Sequence, residues 1–168
     1  MRYTLLSIFT LIILAISFYP QQELISKENG SPGGKTNSPG DGQNCTACHS
    51  GTLNSGVGTP SITTNIPASG YVPGQTYTLT SAINEIGINR FGFELTAEDN
   101  SNNKIGTFFI TNSAETKLVN GNAAVTHKSA GTSGTNSKIW SFDWQAPIAG
   151  TGSVTFYSSC ISANNNGN

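Results

Sequence analysis

Residues 90–97 read RFGFELTA, and this stretch decides the fold class of the chain. Its odd-numbered positions from 91 to 97 are apolar, while the positions between them are small or polar. A repeat of two residues is the spacing of a β-strand that buries one face and exposes the other. The stretch therefore predicts a strand in the core of an all-β domain.

The same alternation extends outward along the chain from this stretch. It recurs over residues 76–83, 140–144 and 154–158, with shorter strand candidates at 105–111, 118–119 and 123–126. Turn residues separate these runs about every eight to twelve positions, and no helical stripe is visible after the amino terminus. The pattern predicts an antiparallel, immunoglobulin-like β-sandwich over residues 71–168.

We expect its core to contain Phe91, Phe93, Leu95, Trp140, Phe142, Trp144, Val154 and Phe156. Stacking of the two tryptophans on sugars is the alternative to core packing.

The amino terminus has the features of an export signal. Residues 1–17 combine a basic start with an apolar run that is too short to span a membrane comfortably. We expect cleavage after Ser17, with an uncleaved anchor as the alternative. The module would then be periplasmic, cell-surface or extracellular, with no membrane span. Residues 18–70 are rich in Gly, Ser, Pro, Asn and Thr and predict an extended loop region.

The carboxy terminus ends in NNNGN, at residues 164–168, directly after a strongly patterned strand. A sandwich usually has a further strand at such a point. We therefore expect the native polymer to continue into another strand and an anchoring segment.

The composition excludes several function classes. Only 10% of the 168 residues are charged, the formal net charge is −1, and just eight residues are Lys or Arg. With so few cations, neither nucleic-acid binding driven by counterion release nor binding to anionic membranes is expected. No arrangement of nucleophile, base and oxyanion donors is visible, so the sequence predicts a protein that is not an enzyme.

Residues 45–49 read CTACH, the Cys-x-x-Cys-His pattern of covalent haem c attachment. The spacing lets Cys45 and Cys48 form thioethers with one porphyrin edge, and His49 then supplies the proximal iron ligand. Export supports this interpretation because haem is attached outside the cytoplasm. The sequence therefore predicts one covalent haem c.

Three alternatives use the same residues without haem. A disulfide between Cys45 and Cys48, or from either of them to Cys160, is normal in an exported loop. A zinc site would need four good ligands, which the chain hardly offers. A thioredoxin-like redox site would need a βαβ context that is missing here.

The numbers of methionine and histidine residues limit the choice of the sixth iron ligand. The single methionine is Met1, which leaves with the signal peptide, and His127 is the only histidine besides His49. His127 is therefore the candidate sixth ligand. The alternatives are a surface or hydrogen-bonded His127 with an iron site that is open or filled from another molecule.

Several segments carry a family resemblance. The run PGDGQNCTACHSG at 39–51 resembles the opening of the exported bacterial "choice-of-anchor V" family. YVPGQTY (71–77), RFGFEL (90–95), VTH (125–127) and WQAP (144–147) with GSVTFY (152–157) resemble the Reeler, or reelin amino-terminal, domain. The resemblance implies a β-sandwich exported by a Gram-negative bacterium, often ahead of a carboxy-terminal sorting tail. Many Reeler domains carry no haem, which allows a purely structural role for His127.

Two function classes follow from the sequence. The first is an exported monohaem module for haem binding or electron transfer, with an unknown redox partner. The second is an adhesion or interaction module that contacts a surface component through its β-sandwich, with a structural Cys45–Cys48 disulfide and no haem.

Overall fold

The computed structural model describes residues 27–163, which fold into two four-stranded antiparallel sheets packed face to face. The predicted all-β sandwich is therefore confirmed. The predicted signal peptide (1–17) and the terminal residues 164–168 lie outside the described part. Within it, no helix is long or apolar enough to cross a membrane.

The strands are β1 Thr59–Thr64, β2 Thr76–Asn84, β3 Arg90–Asp99, β4 Thr107–Phe109, β5 Thr116–Val119, β6 Ala124–His127, β7 Ser137–Gln145 and β8 Val154–Ala163. One sheet has the order β1-β2-β7-β4 and the other β5-β6-β3-β8.

The core lies between β3 of one sheet and β7 of the other. The Phe93 ring stacks on Trp140 with 4.4 Å between centroids, and Trp144 meets Phe156 edge-on at 4.9 Å. Because Trp140 and Trp144 are 1% and 0% exposed, the core assignment is confirmed and the sugar platform is wrong. Val154 and Phe156 are only partly buried, since they belong to the edge strand β8.

Two strands differ from the sequence prediction. Thr59–Thr64 form β1, so the sandwich begins 12 residues before residue 71, inside the predicted loop region. This strand was missed because it is a polar edge strand in which only Ile62 is partly buried. The strand predicted over 105–111 is shorter, since β4 covers Thr107–Phe109. Gly106 precedes it at φ 76°, where a Cβ would come within 2.2 Å of the Trp144 indole nitrogen.

Residues 27–44, which we call the strap, cross the outer face of the second sheet. The strap is held by polar contacts with two β3 carboxylates, Glu94 and Glu98, each 1% exposed. Backbone N–H groups of Gly34 and Lys35 donate to Glu94 Oε1 at 2.8 and 3.3 Å. The Gly40 N–H donates to Glu98 Oε2 at 3.2 Å. The backbone N–H groups of the glycine-rich strap thus bind side-chain carboxylates of the protein itself, those of Glu94 and Glu98.

An ion-pair cluster fastens the far end of the strap. Lys104 Nζ lies 2.6 Å from Asp41 Oδ1 and 2.6 Å from Glu98 Oε1. The Ser38 hydroxyl donates to the same Glu98 oxygen at 2.5 Å. The strap therefore places the following residues, which include the Cys-x-x-Cys-His motif, beside β3 and β8.

Candidate functional site: the cysteine–histidine cavity

The Cys-x-x-Cys-His motif begins in a 3-10 helix, Cys45–Ala47. Asn44 caps this helix, because its side-chain oxygen accepts from the Thr46 N–H at 2.9 Å. The N–H groups of Cys48 and His49 both donate to the Cys45 carbonyl, at 3.1 and 3.0 Å. Since a 3-10 helix has three residues per turn, this winding brings Cys45 and Cys48 to the same side.

All four site residues predicted from the sequence line one cavity of about 40 Å³: Cys45, Cys48, His49 and His127. We call it the donor cavity. Phe93, Glu94 and Ile161 of the second sheet form part of its wall, and Lys35 of the strap also borders it. The structure thus brings His127 to a motif from which it is separated by at least 78 positions in the sequence.

Burial favours the neutral thiol form of Cys45 and Cys160. Burial raises the pKa of Cys45 to about 11, and the nearby Cys160 and Glu94 charges add to that shift. Burial also raises the pKa of Cys160. In the structure Cys45, Cys48 and Cys160 are all free thiols. A thiol as weakly acidic as Cys45 is a poor nucleophile, which argues against thioredoxin-like chemistry.

The two imidazoles favour the uncharged form. Burial lowers the pKa of His49. Burial also lowers the pKa of His127, although the carbonyl groups of Phe93 and Lys27 partly oppose the shift. A neutral imidazole has a free nitrogen lone pair, which is the form that binds a metal.

His127 ends β6 and is 8% exposed, so the alternative of a surface position is wrong, whereas a hydrogen-bonded His127 agrees with the structure. The Phe93 N–H donates to His127 Nδ1 at 3.0 Å, and the Phe93 carbonyl oxygen lies 3.2 Å from the same nitrogen. If Nδ1 carries the proton, it donates to this carbonyl and leaves Nε2 free as a ligand. The backbone of β3 therefore fixes the ring whichever tautomer is present.

Sequence reasoning missed two residues of β3 that shape the cavity. A Cβ at Gly92 would stand 2.6 Å from His127 Cε1, so the glycine makes room for the ring. Glu94 Oε2 is buried without a hydrogen-bond partner among the described residues. Gly92 offered a signal, because an isolated glycine inside a strand often marks a close approach. Glu94 offered no such signal. Its even-numbered position in the alternating strand predicts a side chain on the exposed face, and in the structure the strap covers that face.

The donor set of the cavity fits haem c in its chemistry. Two adjacent thiols and a neutral imidazole from one short segment are the groups that covalent haem requires, and a second neutral imidazole lies across the cavity. The cavity volume of about 40 Å³ is far below that of a porphyrin, so attachment would require the 3-10 helix to move away from the sheet. Within residues 27–163, no three His, Cys, Asp or Glu side chains form a ready-made site for a metal ion.

A second, larger recess opens on the other side of the 3-10 helix. It has a volume of about 340 Å³ and lies between residues 50–58 and the edge of β8. We call it the edge groove. Cys45 and His49 border both recesses, whereas Cys48 and His127 border only the donor cavity.

Comparison with known proteins gives a family and a fold. The profile of the Reeler domain matches residues 44–166. The Reelin-N domain of F-spondin is similar in structure, with a TM-score of 0.52 and 28% identity over 62% of this chain and 72% of that chain. The crystal structure of the human F-spondin reeler domain (fragment 1) gives a TM-score of 0.52 and 26% identity over 61% of this chain and 75% of that chain. Curated proteins yield no match.

The family match covers well over half of the chain and includes the 3-10 helix, the whole sandwich and His127. The structural matches reproduce the two-sheet architecture. The chain belongs to the Reeler domain family.

Proposed function

We propose that this Reeler domain is an exported interaction module without enzymatic activity. The observation that carries the proposal is the Reeler match over residues 44–166, because Reeler domains are extracellular domains. The F-spondin domains supply the same architecture. The module would bind a component outside the cell through its sandwich.

The surface chemistry supports an interaction role. The outer face of the first sheet presents hydroxyl side chains in register across the strands, such as Thr63 beside Thr80 and Thr80 beside Ser141. Asp41 of the strap and Glu98 of β3 are both paired with Lys104, so these charges serve the attachment of the strap. A neutral, hydroxyl-rich surface suits recognition by hydrogen bonds and shape better than recognition by charge.

Binding of the purified exported protein to cells of the producing organism tests this role. We expect saturable binding of labelled protein that the unlabelled protein displaces. An exported β-sandwich of unrelated sequence and similar net charge is the control. Binding that neither saturates nor exceeds this control would overturn the interaction role.

A second candidate function, attachment of haem c, is favoured by the donor cavity. Cys45 and Cys48 would hold the group through thioethers, His49 would be the proximal iron ligand, and His127 the candidate sixth ligand. When bound, the haem supplies a one-electron redox centre. The strap and β3 would orient His127 and shield the thiols from water.

Expression in a host that attaches haem c tests the second candidate. We expect an intact mass increased by one haem and a haem c pyridine haemochrome spectrum. Replacing both Cys45 and Cys48 with Ala should abolish these signals, whereas Cys160→Ala should retain them. A mass equal to the polypeptide less two hydrogens, with no Soret band, would establish the disulfide instead.

The role of His127 is tested in the haem-loaded protein. If His127 is the sixth ligand, His127→Ala converts the ferric spectrum from low-spin to high-spin. Gly92→Ala, which pushes a methyl group into the ring, should cause a smaller change in the same direction. A low-spin spectrum retained in His127→Ala would exclude this residue as the ligand.

A further inference from the structure

Strand β8 is the last strand of the second sheet. It pairs with β3 without a bulge over its full length, from Val154 opposite Asp99 to Ala163 opposite Arg90. Within residues 27–163, no strand pairs with its other side. One long edge of β8 is therefore free.

The hydrogen bonds of β3 show which β8 groups point to the free edge. The N–H groups of Phe91 and Phe93 donate to Thr132 and His127, on the side away from β8. Successive residues of a strand direct their N–H and C=O groups to opposite sides. The even-numbered β3 residues therefore bond to β8, and their partners are the odd-numbered β8 residues. The even-numbered β8 residues direct their backbone groups outward, namely Val154, Phe156, Ser158, Cys160 and Ser162.

The outward groups lack partners in the described part of the chain. No backbone hydrogen bond from a turn or loop reaches Phe156, Ser158, Cys160 or Ser162. The Ser162 hydroxyl is also buried without a partner. Unpaired backbone groups at a partly buried position are costly, and another polypeptide can satisfy them.

The other three sheet edges carry features that discourage pairing with foreign strands. Strand β1 contains Pro60, β4 has three residues, and β5 has four residues including Lys117. Strand β8 has ten residues, VTFYSSCISA, without proline or charge. Short length, proline and charge are common protections of edge strands, and β8 has none of them.

The edge groove gives this free edge a defined opening. Residues 158–162 of β8 form one wall, and residues 49–56 and Pro60 lie around it. Its volume is about 340 Å³ and it runs along five consecutive residues of β8, which is the form of site that an extended segment rather than a folded domain would enter. Among the described residues, Glu85 is the only Asp, Glu, Lys or Arg side chain that lines it, and Leu53 adds an apolar surface that is 43% exposed. The lining suits an uncharged strand that carries one basic residue near Glu85.

We propose that the free edge of β8 is a strand-pairing site that accepts an extended segment of a partner protein, uncharged except for a basic residue facing Glu85. The segment adds a ninth strand and bonds to the backbone of residues 156–162, a known mode of peptide recognition. This inference rests on the proposed interaction role and specifies its contact surface.

Amide hydrogen exchange of the exported protein, measured by NMR, tests the pairing directly. The probe is a synthetic heptapeptide of alternating threonine and valine with a carboxy-terminal lysine. We expect the amides of Phe156, Ser158, Cys160 and Ser162 to exchange faster than those of residues 155, 157, 159 and 161 in the free protein. Saturating peptide should slow the even-numbered set by about tenfold or more and leave the other set unchanged.

Two matched comparisons separate strand pairing from nonspecific binding. Methylation of the backbone nitrogens at the alternate peptide residues that face β8 should abolish the protection. Methylation at the residues between them should not. Ser162→Pro removes an outward N–H without touching the β3 ladder, so the protein should fold and bind the peptide more weakly. Glu85→Gln should remove the preference for lysine over glutamate at the peptide terminus.

Equal protection of both parities, or binding unaffected by either methylation pattern, would overturn the strand-pairing site. Binding of the protein to cells distinguishes this failure from failure of the interaction role. Saturable cell binding without parity-dependent exchange leaves the interaction role intact. Parity-dependent exchange without cell binding leaves the strand-pairing site intact.

Discussion

Phe93 is the residue that joins the two sheets most directly. It is 2% exposed and stacks on both Trp140 and Phe142, with centroids 4.4 and 5.9 Å away. Phe93→Ala would leave a cavity between the sheets, and we expect it to lower the free energy of unfolding by about 3–5 kcal/mol. Urea denaturation measures the change. Val57→Ala, at a site that is 87% exposed, should change it by less than about 0.5 kcal/mol.

His127 makes the stability depend on pH. Burial lowers the pKa of its imidazole below the ordinary value of 6.5, so the native state binds the proton less readily than the unfolded state. Well above pH 6.5 the imidazole is neutral in both states and the residue contributes no pH dependence. As the pH falls below 6.5 the unfolded state takes up the proton first, and the free energy of unfolding decreases.

Urea denaturation of wild type and His127→Gln between pH 7.5 and pH 5 checks this effect; Gln keeps a polar side chain but does not titrate there. We expect a shallower pH dependence in the variant. The dependence should not vanish, because the pKa of His49 is lowered as well. Identical slopes in both proteins would contradict the assignment to His127.

The strap is an element held by ionic and polar contacts, and its attachment is expected to weaken in acid. Burial acts to raise the pKa of Glu98, but the hydrogen bonds from Lys104 and Ser38 outweigh it and lower the pKa below the ordinary 4.5. Asp41 behaves similarly, with its pKa held below 3.8 despite burial. Stabilisation from these carboxylates is therefore complete above about pH 4.5 and is lost as the pH falls through their lowered values.

Limited proteolysis of the strap at pH 7 measures its attachment. We expect Glu98→Gln to increase cleavage within residues 27–44, because it removes the anion that Lys104 binds. Glu115→Gln is the matched control, since it breaks the Lys138 pair at a more exposed site away from the strap. Equal cleavage in the two variants would show that the ionic cluster does not hold the strap.

The whole molecule has a single core shared by both sheets, which predicts cooperative unfolding. Trp140 and Trp144 lie in that core, whereas the far-ultraviolet circular dichroism reports on both sheets. The tryptophan fluorescence and dichroism transitions in urea should therefore coincide. Separate midpoints would indicate that one sheet unfolds before the other.

Local periodicity was enough to predict the sandwich. The alternation of buried and more exposed positions survives in β2 and β7, because each of these strands has one face on the core. The expectation that β3 exposes its other face is wrong, because residues 91–98 are all buried and the strap contacts Glu94 and Glu98 on that face. Local periodicity was not enough to find β1, because an edge strand with few buried side chains has little hydrophobic pattern. The Cys-x-x-Cys-His spacing likewise identified the candidate haem site, since that chemistry depends on neighbours in sequence.

The sequence by itself determined the all-β class, the main strands and the cysteine–histidine motif, because each depends on short-range spacing. Only the tertiary structure decided that His127 is buried beside that motif and that Gly92 makes room for its ring. The burial of Glu94 beneath the strap and the free edge of β8 also came from the tertiary structure. These features depend on contacts between distant segments, and the strand order that creates them is set by packing of the whole chain rather than by any local pattern.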